Sequence, residues 1–74
     1  MAEKTIILRD QDAVTAFVKA ASECPYDVDV SYDRVIVDAK SILGVMSLDR
    51  RRPLHVNYKE DDEAFRRVLE KYEV

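Results

Sequence analysis

The chain has one cysteine, one histidine, one glycine and two prolines in 74 residues, and each scarcity closes something off. Cys24 stands alone, so no internal disulfide can form, and a zinc site lacks the partners it needs. Neither a histidine nor a second cysteine lies near it in sequence, so it reads as a partly buried free thiol rather than a redox or nucleophilic centre. No apolar run is long enough to span a bilayer. The opening Met1-Ala2-Glu3-Lys4-Thr5 lacks the basic-then-apolar layout of a secretory signal, so the expected location is the cytoplasm. No linker, repeat or low-complexity stretch divides the chain, and residues 1–74 are expected to form one domain. A net charge of −3 supplies no electrostatic reason to bind nucleic acid. No metal or cofactor is expected.

With 47% hydrophobic and 36% charged residues, the composition is that of a globular domain rather than a disordered one. A chain this short buries only about 60% of its unfolded surface, so one small core must suffice. Arg50-Arg51-Arg52 is a local basic run. It reads as solvated loop surface, with a rim contact for an acidic partner as the alternative.

The hydrophobic periodicity changes cleanly along the chain. Thr5-Ile6-Ile7-Leu8 is a short β-branched run that predicts a strand. Asp10 or Asp12 can cap a helix with Val14, Phe17, Val18 and Ala21 on one stripe, stopped by Cys24-Pro25. From Asp27 to Tyr32 the alternation turns Val28, Val30 and Tyr32 inward. Asp33-Arg34 sits where a tight turn is expected, and Val35-Ile36-Val37 returns as the hairpin partner. Ser41 is a preferred N-cap for a short helix from Ile42 to about Leu48. Leu54, Val56 and Tyr58 alternate with His55 and Asn57 as a fourth strand, which points His55 to solvent. Glu60, Asp61 and Asp62 place negative charge at the start of a last helix with Ala64, Phe65, Val68, Leu69 and Tyr72 as its stripe. The order β-α-β-β-α-β-α predicts an α+β open-faced sandwich, with helices on one side of a four-stranded antiparallel sheet.

The segment Val37-Asp38-Ala39-Lys40-Ser41-Ile42-Leu43-Gly44-Val45-Met46-Ser47-Leu48 closely resembles the regulatory serine segment of HPr, the histidine-containing phosphocarrier of the bacterial sugar phosphotransferase system. The hairpin from Tyr26 to Asp38 and the element order fit the same family. In a phosphocarrier, the loop between the first strand and first helix contains His-Ala-Arg-Pro. That histidine accepts the phosphate, and the arginine and helix N-terminus stabilise it. Here the stretch Leu8-Arg9-Asp10-Gln11-Asp12-Ala13-Val14-Thr15 is a few residues shorter and has no histidine. Asp10 and Asp12 bring negative charge where an anion would have been held. Capping and first-turn acidity account for both, and an aspartyl-phosphate role is set aside. His55, far from that loop in sequence, is not a replacement.

The serine is retained. At an N-cap it serves local stability, and a phosphate there would meet helix N–H groups, with Lys40 adjoining. The resemblance implies modification of Ser41 by an HPr kinase/phosphorylase and binding to a catabolite-control repressor. The catabolite-repression HPr homologue, a member of this family, likewise lacks the histidine and keeps the serine. A short helix cannot bury every side, so Val45 and Leu48 are assigned to the core. Lys40, Ile42, Leu43 and Met46 are assigned to a partner surface, Ile42 and Met46 foremost. The expected function is a non-catalytic, monomeric regulatory or adaptor protein. The alternatives are a phosphocarrier using another acceptor, or an HPr-fold binding module.

Overall fold

The computed structural model describes residues 1–49 and 51–74. Arg50 of the basic triplet therefore lies outside the described residues. The elements run β1 (Ala2–Ile6), α1 (Gln11–Ser22), β2 (Asp29–Tyr32), β3 (Val35–Asp38), α2 (Ile42–Met46), β4 (Leu54–Tyr58) and α3 (Glu63–Glu70). The strands form one antiparallel sheet in the order β1-β4-β2-β3. This is the expected α+β open-faced sandwich.

Side-chain alternation separates the two faces of the sheet. Leu54, Val56 and Tyr58 of β4 are buried, and Ile6 and Val30 join them from the flanking strands. Glu3, Thr5, His55, Asn57, Asp29 and Ser31 share the opposite face, which is open to water. Over the apolar face, α1 contributes Ala13, Val14, Phe17, Val18 and Ala21, all buried. Phe65 of α3 meets Phe17 with ring centroids 6.2 Å apart, and meets Tyr58 edge-on at 5.7 Å. Aromatic pairs favour such offset geometries, which fasten both long helices and the sheet to one core.

Several boundaries differ from those the sequence suggests. The first strand ends at Ile6, and Leu8 lies outside the ladder although it is only 1% exposed. An apolar run records burial, whereas strand pairing is set by the partner, here from Ala2↔Tyr58 to Ile6↔Leu54. β2 begins at Asp29 rather than Asp27, yet Val28 is fully buried and its carbonyl accepts from Ala39 N at 2.9 Å. The second helix stops at Met46, and Leu48 turns into the core just beyond it. In α3, Phe65 and Leu69 are buried and Val68 half-buried, but Ala64 is exposed, and the half-buried Tyr72 lies beyond the end of the helix. Ala64 sits about 100° round the helix from Phe65, beyond the narrow stripe that meets the core.

The hairpin turn does without glycine. Asp33 takes φ of 50°, a left-handed conformation that Asp tolerates better than most residues. Arg52 holds the turn from outside. Its Nη2 is 2.9 Å from Asp33 Oδ2, and its guanidinium carbon lies 4.6 Å from the centre of the Tyr32 ring. Arg51 is clasped by Asp49, at 3.1 Å through Nε. Two arginines of the basic run thus serve intramolecular contacts.

Candidate functional site

The loop from Ile7 to Asp10 delivers the chain to the N-terminus of α1. Asp10 is extended (φ −145°, ψ 175°) and is the N-cap. Its Oδ1 accepts the Ala13 amide at 2.8 Å. A charge-assisted bond of this length satisfies one of the free donors of the first turn and places a full negative charge at the positive end of the helix. Asp12 follows in that turn. The helix end is therefore occupied by the chain's own carboxylates.

Beside it lies an open cleft of about 530 Å³ lined by Ile7, Leu8, Arg9, Leu48, Asp49 and Arg51. Its floor is the buried Leu8 and Leu48. Arg51 is already balanced by Asp49, whose carboxyl is held below the usual carboxylate range by the hydrogen bonds from Arg51. His55 does not reach this region. It stands on the open face of the sheet, with Nδ1 3.2 Å from Thr5 Oγ1 and 3.9 Å from Glu3 Oε2. Among the described residues, no three histidine, cysteine or acidic side chains come together as a metal site, and no helix is long and apolar enough to cross a membrane.

The retained serine is at the start of α2. Ser41 is exposed, with its Oγ accepting Gly44 N at 3.1 Å as the N-cap. Gly44, the only glycine of the chain, has a reason to be glycine that is steric rather than conformational. A Cβ there would come within 3.3 Å of Ser41 Oγ and 3.5 Å of Val37 Cβ. Upstream, Asp38 shapes the approach: its Oδ1 accepts Lys40 N at 2.9 Å and its carbonyl accepts Ser41 N at 3.0 Å.

Val45 and Leu48 are buried, as assigned, while Ile42, Leu43 and Met46 are 39%, 80% and 41% exposed. These three form an apolar surface next to Ser41. Lys40 is placed differently from them. Its Nζ donates to the Cys24 carbonyl at 2.9 Å, so the ammonium is drawn toward the C-terminal end of α1. Gln11 enlarges the surface: its Nε2 lies 3.8 Å from Met46 Sδ, joining the first turn of α1 to α2. Nothing in the sequence pattern singles out Gln11, because this contact spans 35 positions. The Asp38 turn, in contrast, carries the signal of an Asx side chain two residues before a backbone donor.

A four-stranded antiparallel sheet in the order β1-β4-β2-β3 under three helices, with a capped serine helix beside the first helix's N-terminus, defines an HPr-like open-faced sandwich. The family model for the PTS HPr component phosphorylation site matches residues 10–70, and the chain belongs to the HPr family. It is thus a phosphocarrier-like protein related to the phosphotransferase system, a family whose members are carriers rather than enzymes in the strict sense and work through contacts with other proteins. Neither the curated proteins nor the solved structures contain a match to the chain.

Proposed function

We propose that this chain, as a single domain over residues 1–74, is a non-catalytic regulatory or adaptor protein of the cytoplasm, modified on Ser41 and acting through protein contacts centred on α2. One observation carries the reading: Asp10 Oδ1 sits 2.8 Å from Ala13 N. The helix end that stabilises a carrier's phosphohistidine is filled here by a carboxylate, and no imidazole stands near it. A phosphoryl group brought to this point meets two acids and no nucleophile suited to hold it.

Ser41 offers what that helix end does not. Its hydroxyl is on the surface, and the exposed Ile42, Leu43 and Met46 adjoin it. A phosphate adds about −1.5 to −2 charges at neutral pH, enough to change which protein an adjoining apolar patch accepts. The fitting partners are an HPr kinase/phosphorylase and a catabolite-control repressor, with no direct role for nucleic acid or membrane.

Incubation with HPr kinase and ATP, read by intact mass, is expected to add one phosphate, and Ser41→Ala to abolish it. Incubation with phosphoenolpyruvate and the first enzyme of the phosphotransferase system is expected to leave the chain unmodified. An unmodified Ser41 under conditions that phosphorylate an ordinary HPr, or phosphate taken up from phosphoenolpyruvate, overturns the proposal.

A further inference from the structure

The two edges of the sheet are finished differently. Along β1, the C-terminal residues lie over the edge: Ile6 bridges Glu73, Val74 N donates to Thr5 O at 3.1 Å, and Ile7 N donates to Tyr72 O at 3.0 Å. Lys4 adds a charge there, 3.0 Å from Glu73. Covering and charging are the usual ways of keeping a sheet edge from pairing with another chain.

Among the described residues, β3 has no such cover, and its charges, Arg34 before it and Asp38 at its end, are of opposite sign. Its register with β2 runs from Tyr32↔Val35 to Asp29↔Asp38 without a bulge. No proline or lysine lies between Val35 and Asp38, and Val35 and Ile36 are 43% and 68% exposed. Along an antiparallel ladder, alternate residues direct their backbone groups to the same neighbour. Ala39 N donates to Val28 O on the β2 side, so Val37 and Val35 also face β2. The N–H and C=O of Ile36 then point outward, away from the sheet.

We propose that β3 pairs antiparallel with β3 of a second copy of this chain, about a two-fold axis at Ile36. The segment Arg34-Val35-Ile36-Val37-Asp38 is complementary to itself when reversed. Arg34 of each copy faces Asp38 of the other, Val35 faces Val37, and Ile36 faces Ile36. The outward amide and carbonyl of Ile36 are exchanged between copies. Residues two apart along a strand share a face, so Ile36 and Asp38 stand on the open side of the joined sheet, and Arg34, the turn residue just before β3, is set beside Asp38 of the other copy at each end of the isoleucine pair. Arg34 and Asp38 are exposed, and Asp38 uses Oδ1 for Lys40 N, leaving Oδ2 for the pair. A parallel arrangement in the same register would set like charges opposite each other, so the sequence selects the antiparallel one. The contact is short and the dimer weak, in the range of small transient interfaces. This pairing makes no use of Ser41 and replaces the expectation of a monomer.

Sedimentation of the full chain from micromolar to millimolar concentration tests it, with amide NMR spectra reporting that each variant is folded. A reversible monomer–dimer equilibrium is expected. Ile36→Lys, at an exposed position that leaves the core alone, is expected to be monomeric throughout. Arg34→Asp and Asp38→Arg are each expected to weaken self-association about tenfold or more, since each sets like charges together at both ends of the pair. An equimolar mixture of those two variants recovers a heterodimer, because each altered end then meets the opposite charge. A chain monomeric at millimolar concentration, a dimer that survives Ile36→Lys, or a mixture that fails to recover association overturns the proposal.

Discussion

Tyr26 donates its phenol hydrogen to Asp62 Oδ2 at 2.8 Å, while Oδ1 of the same carboxylate accepts the Phe65 amide at 2.9 Å. One side chain thereby caps α3 and ties to it the loop that follows α1. Burial, followed by the bonds to Cys24 and Asp62, pushes the Tyr26 phenol well above its ordinary pKa, so it stays a donor across the accessible pH range. Asp62 lies in a run of acids that reads from sequence as general first-turn charge; only one of the three, Asp62, is the N-cap.

Asp62→Ala removes both the cap and the tyrosine's acceptor. A cap contributes about 1 kcal/mol and an intramolecular hydrogen bond about the same, so the loss is expected to be about 2 kcal/mol by urea unfolding. Tyr26→Phe is expected to cost about half of that. The two changes share one interaction, so the double variant is expected to be more stable than the sum of the single losses implies.

Asp62 also sets a pH dependence. Its carboxyl lies below the usual carboxylate range, first because the Phe65 amide bonds to it, with the Tyr26 hydroxyl helping against partial desolvation. A group depressed in the folded state contributes stability that is complete above its unfolded pKa of about 3.9 and is lost as pH falls through the lower folded value. Urea midpoints measured from about pH 5 down to 2 are expected to fall less steeply for Asp62→Asn than for the unaltered chain. Equal slopes would mean that Asp62 is not the group responsible.

The element order and the faces of β2 and β4 were legible because they rest on period, the one signal that local sequence carries directly. Val14, Phe17, Val18 and Ala21 are buried as their spacing demands, and Ser41 caps where its type predicts. What was not legible depends on contacts between distant positions. Leu8 is apolar because the core needs it, not because a strand passes through it, and nothing local separates those two causes. Ile36 sits in a β-branched run typical of a buried strand, yet it stands opposite Ser31 on the open face of the sheet and is exposed. In the candidate site, Ser41 and its apolar neighbours were accessible to reading, but the Gln11–Met46 contact and the turn of Lys40 toward Cys24 belong to tertiary structure.

Cys24 is 6% exposed, and desolvation is the largest influence raising its thiol pKa. Asp62 raises it further, at 3.7 Å from Sγ. A thiol that is both buried and kept protonated is a poor nucleophile. Native protein is expected to react with a thiol-specific disulfide reagent far more slowly than protein in concentrated urea, where the rate reaches that of an unhindered cysteine. Equal rates in the two conditions would place the sulfur on the surface.

Ser41 and Gly44 are coupled in a way a double-mutant cycle can read. Ser41→Ala leaves the Gly44 amide without its acceptor at the start of a five-residue helix. The expected cost is about 1 kcal/mol, a fall of about 4–8 °C in Tm for a domain of this size. Ser41→Asp restores an acceptor and is expected to keep most of the stability. Gly44→Ala alone brings opposing effects: alanine favours helix by about 1 kcal/mol over glycine, but its methyl would lie 3.3 Å from Ser41 Oγ and push the capping oxygen off its bond. Removing that oxygen first, in Ser41→Ala, takes away the tightest contact and leaves the methyl 3.4 Å from the Cβ of residue 41 and 3.5 Å from Val37 Cβ, both ordinary van der Waals distances. Gly44→Ala is therefore expected to be more favourable by about 1 kcal/mol in the Ser41→Ala background than in the unaltered chain, as measured by thermal and urea unfolding of all four proteins. Strict additivity would show that the glycine is retained for some reason other than room for the serine cap.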